Sequence, residues 1–155
     1  MKKLYYLFLL PLVMLMACND DDFKPVEMTL TLSGVTQSDG EFYTIAGEEV
    51  TINSLQIKPI GGKNTTYQNV VFYLNNVPLV GNWVEPFTGS FSTENLPAGT
   101  YSLGVAGNLL QVDAPIQTFA VSYPLVIVDD PDELPSGAPA FGTYSATITI
   151  QQPDK

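Results

Sequence analysis

Residues 67–74 read Tyr67-Gln68-Asn69-Val70-Val71-Phe72-Tyr73-Leu74, the densest run of β-formers in the chain. Aromatic and β-branched side chains fit a pleated, half-buried surface, so this run predicts a strand, central in its sheet. Asn75-Asn76 stops it with a residue type that tolerates turn conformations. Working back toward the N-terminus, Met28, Leu30 and Leu32 alternate with Thr29 and Thr31, which predicts a one-sided strand. Glu41-Phe42-Tyr43-Thr44-Ile45 follows, stopped by Ala46-Gly47. Next come Val50 and Ile52 on one phase, then Leu55 and Ile57 on the other. A parity flip around Ser54 is what a β-bulge or a strand changing sheets produces.

Working forward, residues 87–91 form a short strand and Leu96-Pro97-Ala98-Gly99 a turn. Tyr101, Leu103 and Val105 alternate, and Ile116, Phe119 and Val121 sit in a strand that ends at Pro124. Residues 125–128 are brief and apolar, residues 129–139 an acidic, proline-rich loop, and Tyr144, Ala146, Ile148 and Ile150 a final strand. No stretch sustains a helical period. The expected class is all-β, an antiparallel sandwich.

Three pieces carry a resemblance: Val71-Phe72-Tyr73-Leu74-Asn75-Asn76, Glu85-Pro86-Phe87, and Leu96-Pro97-Ala98-Gly99-Thr100-Tyr101-Ser102-Leu103. Together they resemble bacterial immunoglobulin-like modules, whose pattern runs VxFYxDG … xPF … LPAGTYTL. The resemblance implies an Ig-like β-sandwich in which Leu96 and Tyr101 pack at a corner like the tyrosine corner of such folds. It implies a spacer or adhesion role and transfers no catalytic residue. Asn76 stands where the pattern has a glycine. An Ig-like core over residues 26–124 leaves a C-terminal extension, 125–155, which is expected to add a strand at an edge.

The N-terminus gives an address. Met1-Lys2-Lys3 precedes an apolar run over residues 4–16, closed by Leu15-Met16-Ala17-Cys18. A spanning helix needs about 20 apolar residues for roughly 30 Å of hydrocarbon, and this run is shorter and holds Pro11. Leu15, Ala17 and Cys18 resemble the lipobox of bacterial lipoproteins. That resemblance implies a signal peptide over residues 1–17 and a diacylglycerol on Cys18, the new first residue. Each buried methylene contributes about 0.8 kcal/mol, so two or three chains hold permanently. Residues 18–25 are the expected flexible tether. Asp20, Asp21 and Asp22 resemble the surface-export signal of Bacteroidota lipoproteins, which implies an outer-membrane protein displayed on the cell surface.

Composition excludes whole classes of chemistry. Removing the first 17 of 155 residues leaves 138, enough for one domain (residues 26–155) with a real core. Lys2 and Lys3 leave with the leader, so four of six lysines remain against sixteen carboxylates. Nucleic acid needs a basic footprint, so it is not an expected partner. Without histidine or arginine, Ser-His-Asp catalysis, histidine metal sites and bidentate phosphate clamps are all missing. No cofactor is implied. Cys18 is the only cysteine, so no disulfide can form within the chain.

What remains for recognition is aromatic stacking with amides, hydroxyls and carboxylates, a set suited to a neutral glycan. Trp83, the only tryptophan, is the first candidate for stacking on a sugar ring; ordinary packing at the sandwich edge competes with that role. Tyr67 and Tyr43 carry weaker versions of the same ambiguity. Asp129, Asp130, Asp132 and Glu133 form a weak calcium candidate, because calcium takes about six to eight oxygens. The spacing is not that of an EF-hand, and a solvated loop is the plainer expectation. Glu48-Glu49 could suggest a carboxylate-based hydrolase, but neighbours in a strand point to opposite faces. The expected function is a non-catalytic, lipid-anchored surface module for binding or spacing, with glycan or protein as partner. The alternatives are an assembly subunit pairing through an open strand edge and, behind it, the hydrolase.

Overall fold

The computed structural model describes residues 22–81 and 83–151. Its strands are β1 (Val26–Ser38), β2 (Glu41–Ile45), β3 (Glu49–Pro59), β4 (Thr65–Leu74), β5 (Val77–Pro78), β6 (Gly89–Ser92), β7 (Gly99–Gln111), β8 (Gln117–Val128) and β9 (Gly142–Ile150). Among the described residues the helical content is one 3-10 turn, Pro131–Glu133. None of them forms a helix long and apolar enough to cross a membrane. The all-β expectation holds.

The strands follow the order β5-β4-β7-β8-β2-β1-β3-β6, with β9 added on β1. This mixed sheet curls on itself into a sandwich-like body. Met28, Leu30 and Ile52 from one half and Phe72, Leu103 and Leu125 from the other belong to a single core, each fully buried. The expected extra strand is β9, antiparallel to β1 from Val35↔Gly142 to Val26↔Ile150.

β1 joins the halves. Its first part pairs with β3, and Thr36 to Ser38 then pair with β2. The crossing is at Gly34, φ +78, where a side chain would run into the Glu49 carbonyl. β2 is thereby laid along β8 in the same direction, Phe42↔Leu125 to Ile45↔Val128. This pairing is the one departure from an antiparallel arrangement among those found.

The parity flip in β3 is a bulge. Thr31 pairs with Ser54 and Leu32 with Ile52, leaving Asn53 as the extra residue. At the end of β4, Asn75 and Asn76 take φ of 47° and 66°, the primed turn that suits a two-residue hairpin. Asparagine tolerates this conformation, so the turn forms without a glycine.

Several boundaries differ from expectation. β4 is not central: β7 flanks it throughout, but β5 covers only Tyr73 and Leu74. Its dense β-formers report burial and aromatic packing, not rank in the sheet. Pro124 does not end a strand, so the boundary drawn at 124/125 falls inside β8. Opposite it, Ser102 directs both backbone groups at Asn75, at 2.9 and 2.8 Å. The Pro124 nitrogen therefore points away from β7, and β2 pairing starts only at Leu125, so no ladder bond is lost. Phe23, which falls within the expected flexible tether of residues 18–25, is instead buried in the core. Gln111 holds the Lys24 backbone by both its N–H and its carbonyl, each at 2.8 Å.

The expected corner is present, and it occurs twice. The Tyr101 hydroxyl donates to the Pro97 carbonyl at 2.7 Å, with Leu96 and Tyr101 packed on the core. The Tyr144 hydroxyl donates to the Ala140 carbonyl at 2.6 Å, again four residues back. Both lie in the same tetrapeptide, Gly-Thr-Tyr-Ser, at 99–102 and 142–145, where β7 and β9 begin.

Candidate functional site

A bulge in β4 builds one wall of the most varied groove. Gln68 pairs with Asn108 and Val71 with Ala106, so Asn69 and Val70 together oppose Gly107. Asn69 takes φ 54, a conformation asparagine accepts more readily than most residues. The extra residue lets Tyr67 and Val70, three apart, both turn toward the core.

The other wall is the chain between β5 and β6. Phe87 N–H closes a turn on the Val84 carbonyl at 2.7 Å, after a cis Glu85-Pro86 bond. Phe87 has φ 64 and is buried, an unusual backbone for an aromatic residue. Its ring meets Tyr67 edge-on at 5.0 Å between centroids. Together the walls enclose a cavity of about 390 Å³ that includes Tyr67, Gln68, Asn69, Trp83, Glu85 and Phe87.

Trp83 is half-buried, its ring 4.6 Å from that of Phe72 and its Nε1 donating to the Leu79 carbonyl at 3.3 Å. The backbone passes so close that a Cβ on Gly81 or Gly89 would lie 2.5 or 2.8 Å from the ring. Packing thus occupies much of Trp83, and its remaining surface borders the groove. Tyr67 is also half-buried, and its hydroxyl has no hydrogen-bond partner among the described residues. The Tyr123 hydroxyl is in the same condition. Burial pushes the Tyr67 phenol well above its ordinary value, with Tyr123 and Glu85 adding to the effect. Burial raises Tyr123 likewise.

The other candidates lie apart. Tyr43 is on β2, its hydroxyl donating to Glu41 at 2.8 Å; that bond raises its pKa, with burial and acidic neighbours adding to it. In the acidic loop, Asp130 accepts from Asp132 N–H at 2.9 Å, and Glu133 accepts from the N–H groups of Asp129 and Asp130. Two of the four carboxylates thus cap the 3-10 turn, and no cluster of three metal-ligating side chains occurs among the described residues. Cys18, Asp20 and Asp21 lie outside the described residues, and Asp22 is the exposed residue before Phe23.

Two further depressions are less varied. A trough of about 390 Å³ crosses the outer face of β7 and β8, where Gly104, Ala106 and Ala120 are small. A second, of about 340 Å³, is mainly apolar, bounded by Leu74, Leu79, Phe91 and Leu96. The Tyr67–Trp83 groove alone among these combines three aromatic rings, two amides and a carboxylate. Sequence reasoning singled out Tyr67 and Trp83 but missed Gln68, Asn69 and Glu85 beside them. The available signals were an asparagine inside a β-run and glycines flanking the tryptophan on both sides.

Comparison with known proteins gives no match to a family model, a curated protein or a solved structure.

Proposed function

We propose that this protein is a non-catalytic, lipid-anchored module of the cell surface that binds a neutral glycan in the Tyr67–Trp83 groove. The observation that carries the reading is the convergence of Tyr67 and Trp83 with Gln68, Asn69 and Glu85, in a groove lined by no cation among the described residues. Ring surfaces suit the apolar faces of sugars, and amides and carboxylates suit their hydroxyls. Among the described residues a single carboxylate, Glu85, lines the groove, which falls short of the facing pair a glycosidase needs. The anchor rests on the lipobox resemblance at Cys18, and surface display on the acidic run after it. A glycan panel tests the binding: neutral polymers should bind, and selective binding of sulfated or uronic polymers would refute it.

A second reading, an assembly subunit, is favoured by the outer edge of β9. Among the described residues that strand pairs with β1 alone, and it carries neither charge nor proline over Gly142–Ile150. Natural edges usually carry such protection against pairing with another chain. An antiparallel pairing centred on Ala146 would set Ser145 of one copy opposite Thr147 of another. Ser145→Glu with Thr147→Glu should abolish self-association in light scattering, and Ser145→Lys with Thr147→Glu should retain it. A wild type that is monomeric at every concentration would end this reading.

A further inference from the structure

The body is polar along its length, and its two ends differ in charge. At one end lie the start of β1, the end of β3, the start of β4 and the β7–β8 turn. Pro25 accepts from Ile60 N–H at 2.8 Å, Gln111 joins Lys24 to Thr65, and Glu27 pairs with Lys58 at 3.7 Å. All three lysines among the described residues, Lys24, Lys58 and Lys63, belong to this end, and so do Asp22, Glu27 and Asp113. So do three exposed aliphatic side chains: Ile60 at 40 % exposure, Val112 at 65 % and Ile116 at 62 %. The opposite end holds the β1–β2 turn with Asp39 and Glu41, the Glu48-Glu49 pair, Glu94, and the acidic loop from Asp129 to Glu133. No described lysine is found there.

The lysine-bearing end is also where the chain leads off toward Cys18. Phe23 is in the core, so only residues 18–22 are left as spacer. Fully extended, five residues reach roughly 17 Å. That length cannot hold the body far from the lipid headgroups if Cys18 carries the acyl chains.

We infer that the end formed by Ile60, Val112 and Ile116, with Lys58 and Lys63 beside them, docks on the surface of the membrane in which the chain is anchored. The inference rests on the lipid-anchor reading. Aliphatic side chains enter the interfacial layer, and lysine stems lie along it with their ammonium groups in the headgroups. Carboxylates at the far end keep that end away from anionic lipid. The whole chain is acidic. Among the described residues, however, the three lysines of this end balance Asp22, Glu27 and Asp113, whereas the far end carries nine carboxylates and no lysine. The groove opens beside β4 residues 66–70, in the half of the strand nearer the docked end.

The test uses the full chain with its leader, so that Cys18 is processed, reconstituted into vesicles of phosphatidylcholine and phosphatidylglycerol. A polarity-sensitive fluorophore is attached at Ile116→Cys, with Ser38→Cys as the far-end control. The expected result is blue-shifted emission at 116, quenched several-fold more by a lipid-borne quencher than the label at 38. A vesicle-bound protein whose two labels are equally quenched by aqueous iodide overturns the docking and leaves the anchor standing. A protein that fails to bind vesicles at all overturns the anchor, and this inference with it. Val112→Asp in a vesicle-bound protein should return the 116 label to water; an unchanged label would also overturn the docking.

Discussion

The Tyr101 hydroxyl donates to the carbonyl of Pro97, four residues earlier, at 2.7 Å. This bond ties the turn after β6 to the first residues of β7, and Tyr144 repeats it on Ala140 ahead of β9. Tyr101→Phe removes only the hydrogen bond and should cost about 1 kcal/mol in urea denaturation. Tyr101→Ala also removes the ring and should cost on the order of 3 kcal/mol. Tyr144→Phe should match Tyr101→Phe. A Tyr101→Ala loss near zero would show that the corner does not stabilise the fold.

Tyr67 and Tyr123 should make the protein sensitive to alkali. Burial raises both phenols above the ordinary value of about 10, so the folded state holds protons that the unfolded state releases. Their contribution is complete below that value and is lost as pH rises toward the folded values. The urea midpoint should therefore fall from about pH 9 to about pH 11. Tyr67→Phe with Tyr123→Phe should flatten that fall and cost little at neutral pH, since neither hydroxyl has a partner among the described residues. An equally steep fall in the double variant would contradict this.

Gly89 should be intolerant of a side chain. A Cβ there would lie 2.8 Å from the Trp83 ring, which Phe72 confines at 4.6 Å between centroids. Gly89→Ala should shift the emission of this sole tryptophan and cost about 1–3 kcal/mol. An unchanged spectrum with unchanged stability would mean that the ring is not held as described.

Cys18→Ser should release the protein from the membrane fraction and abolish acyl labelling. Replacing Asp20, Asp21 and Asp22 by Ala should leave acylation intact and remove protease accessibility on whole cells. A Cys18→Ser protein that remains membrane-bound would sink the lipid-anchor proposal, and unchanged accessibility in the Ala variant the export-signal proposal.

Local patterns carried much of the fold. The alternation of Met28, Leu30 and Leu32, the phase change beside Ser54 and the Asn75-Asn76 turn each became the expected strand, bulge or hairpin. What local pattern cannot carry is partnership. The parallel pairing of β2 with β8 depends on the bend at Gly34, far from β8 in sequence. Pro124 looked like an end because its missing donor is harmless only when Ser102 faces Asn75. Phe23 looked like tether because its burial depends on a core built by later strands. The site was half legible: Tyr67 and Trp83 stood out by type, but their meeting depends on the β4 bulge and the turn at Phe87.

The most direct test of glycan recognition is a titration of the full chain with neutral oligosaccharides, followed by Trp83 emission and calorimetry. Wild type should bind at least one neutral glycan with a change in emission. Exposed Gln68 lines the groove without supporting the core, so Gln68→Ala should leave stability intact. Its loss of a hydrogen bond should weaken binding by about 1 kcal/mol, roughly fivefold. Glu85→Ala should weaken it similarly. Absence of any neutral ligand, or binding untouched by both substitutions, would contradict the proposed site.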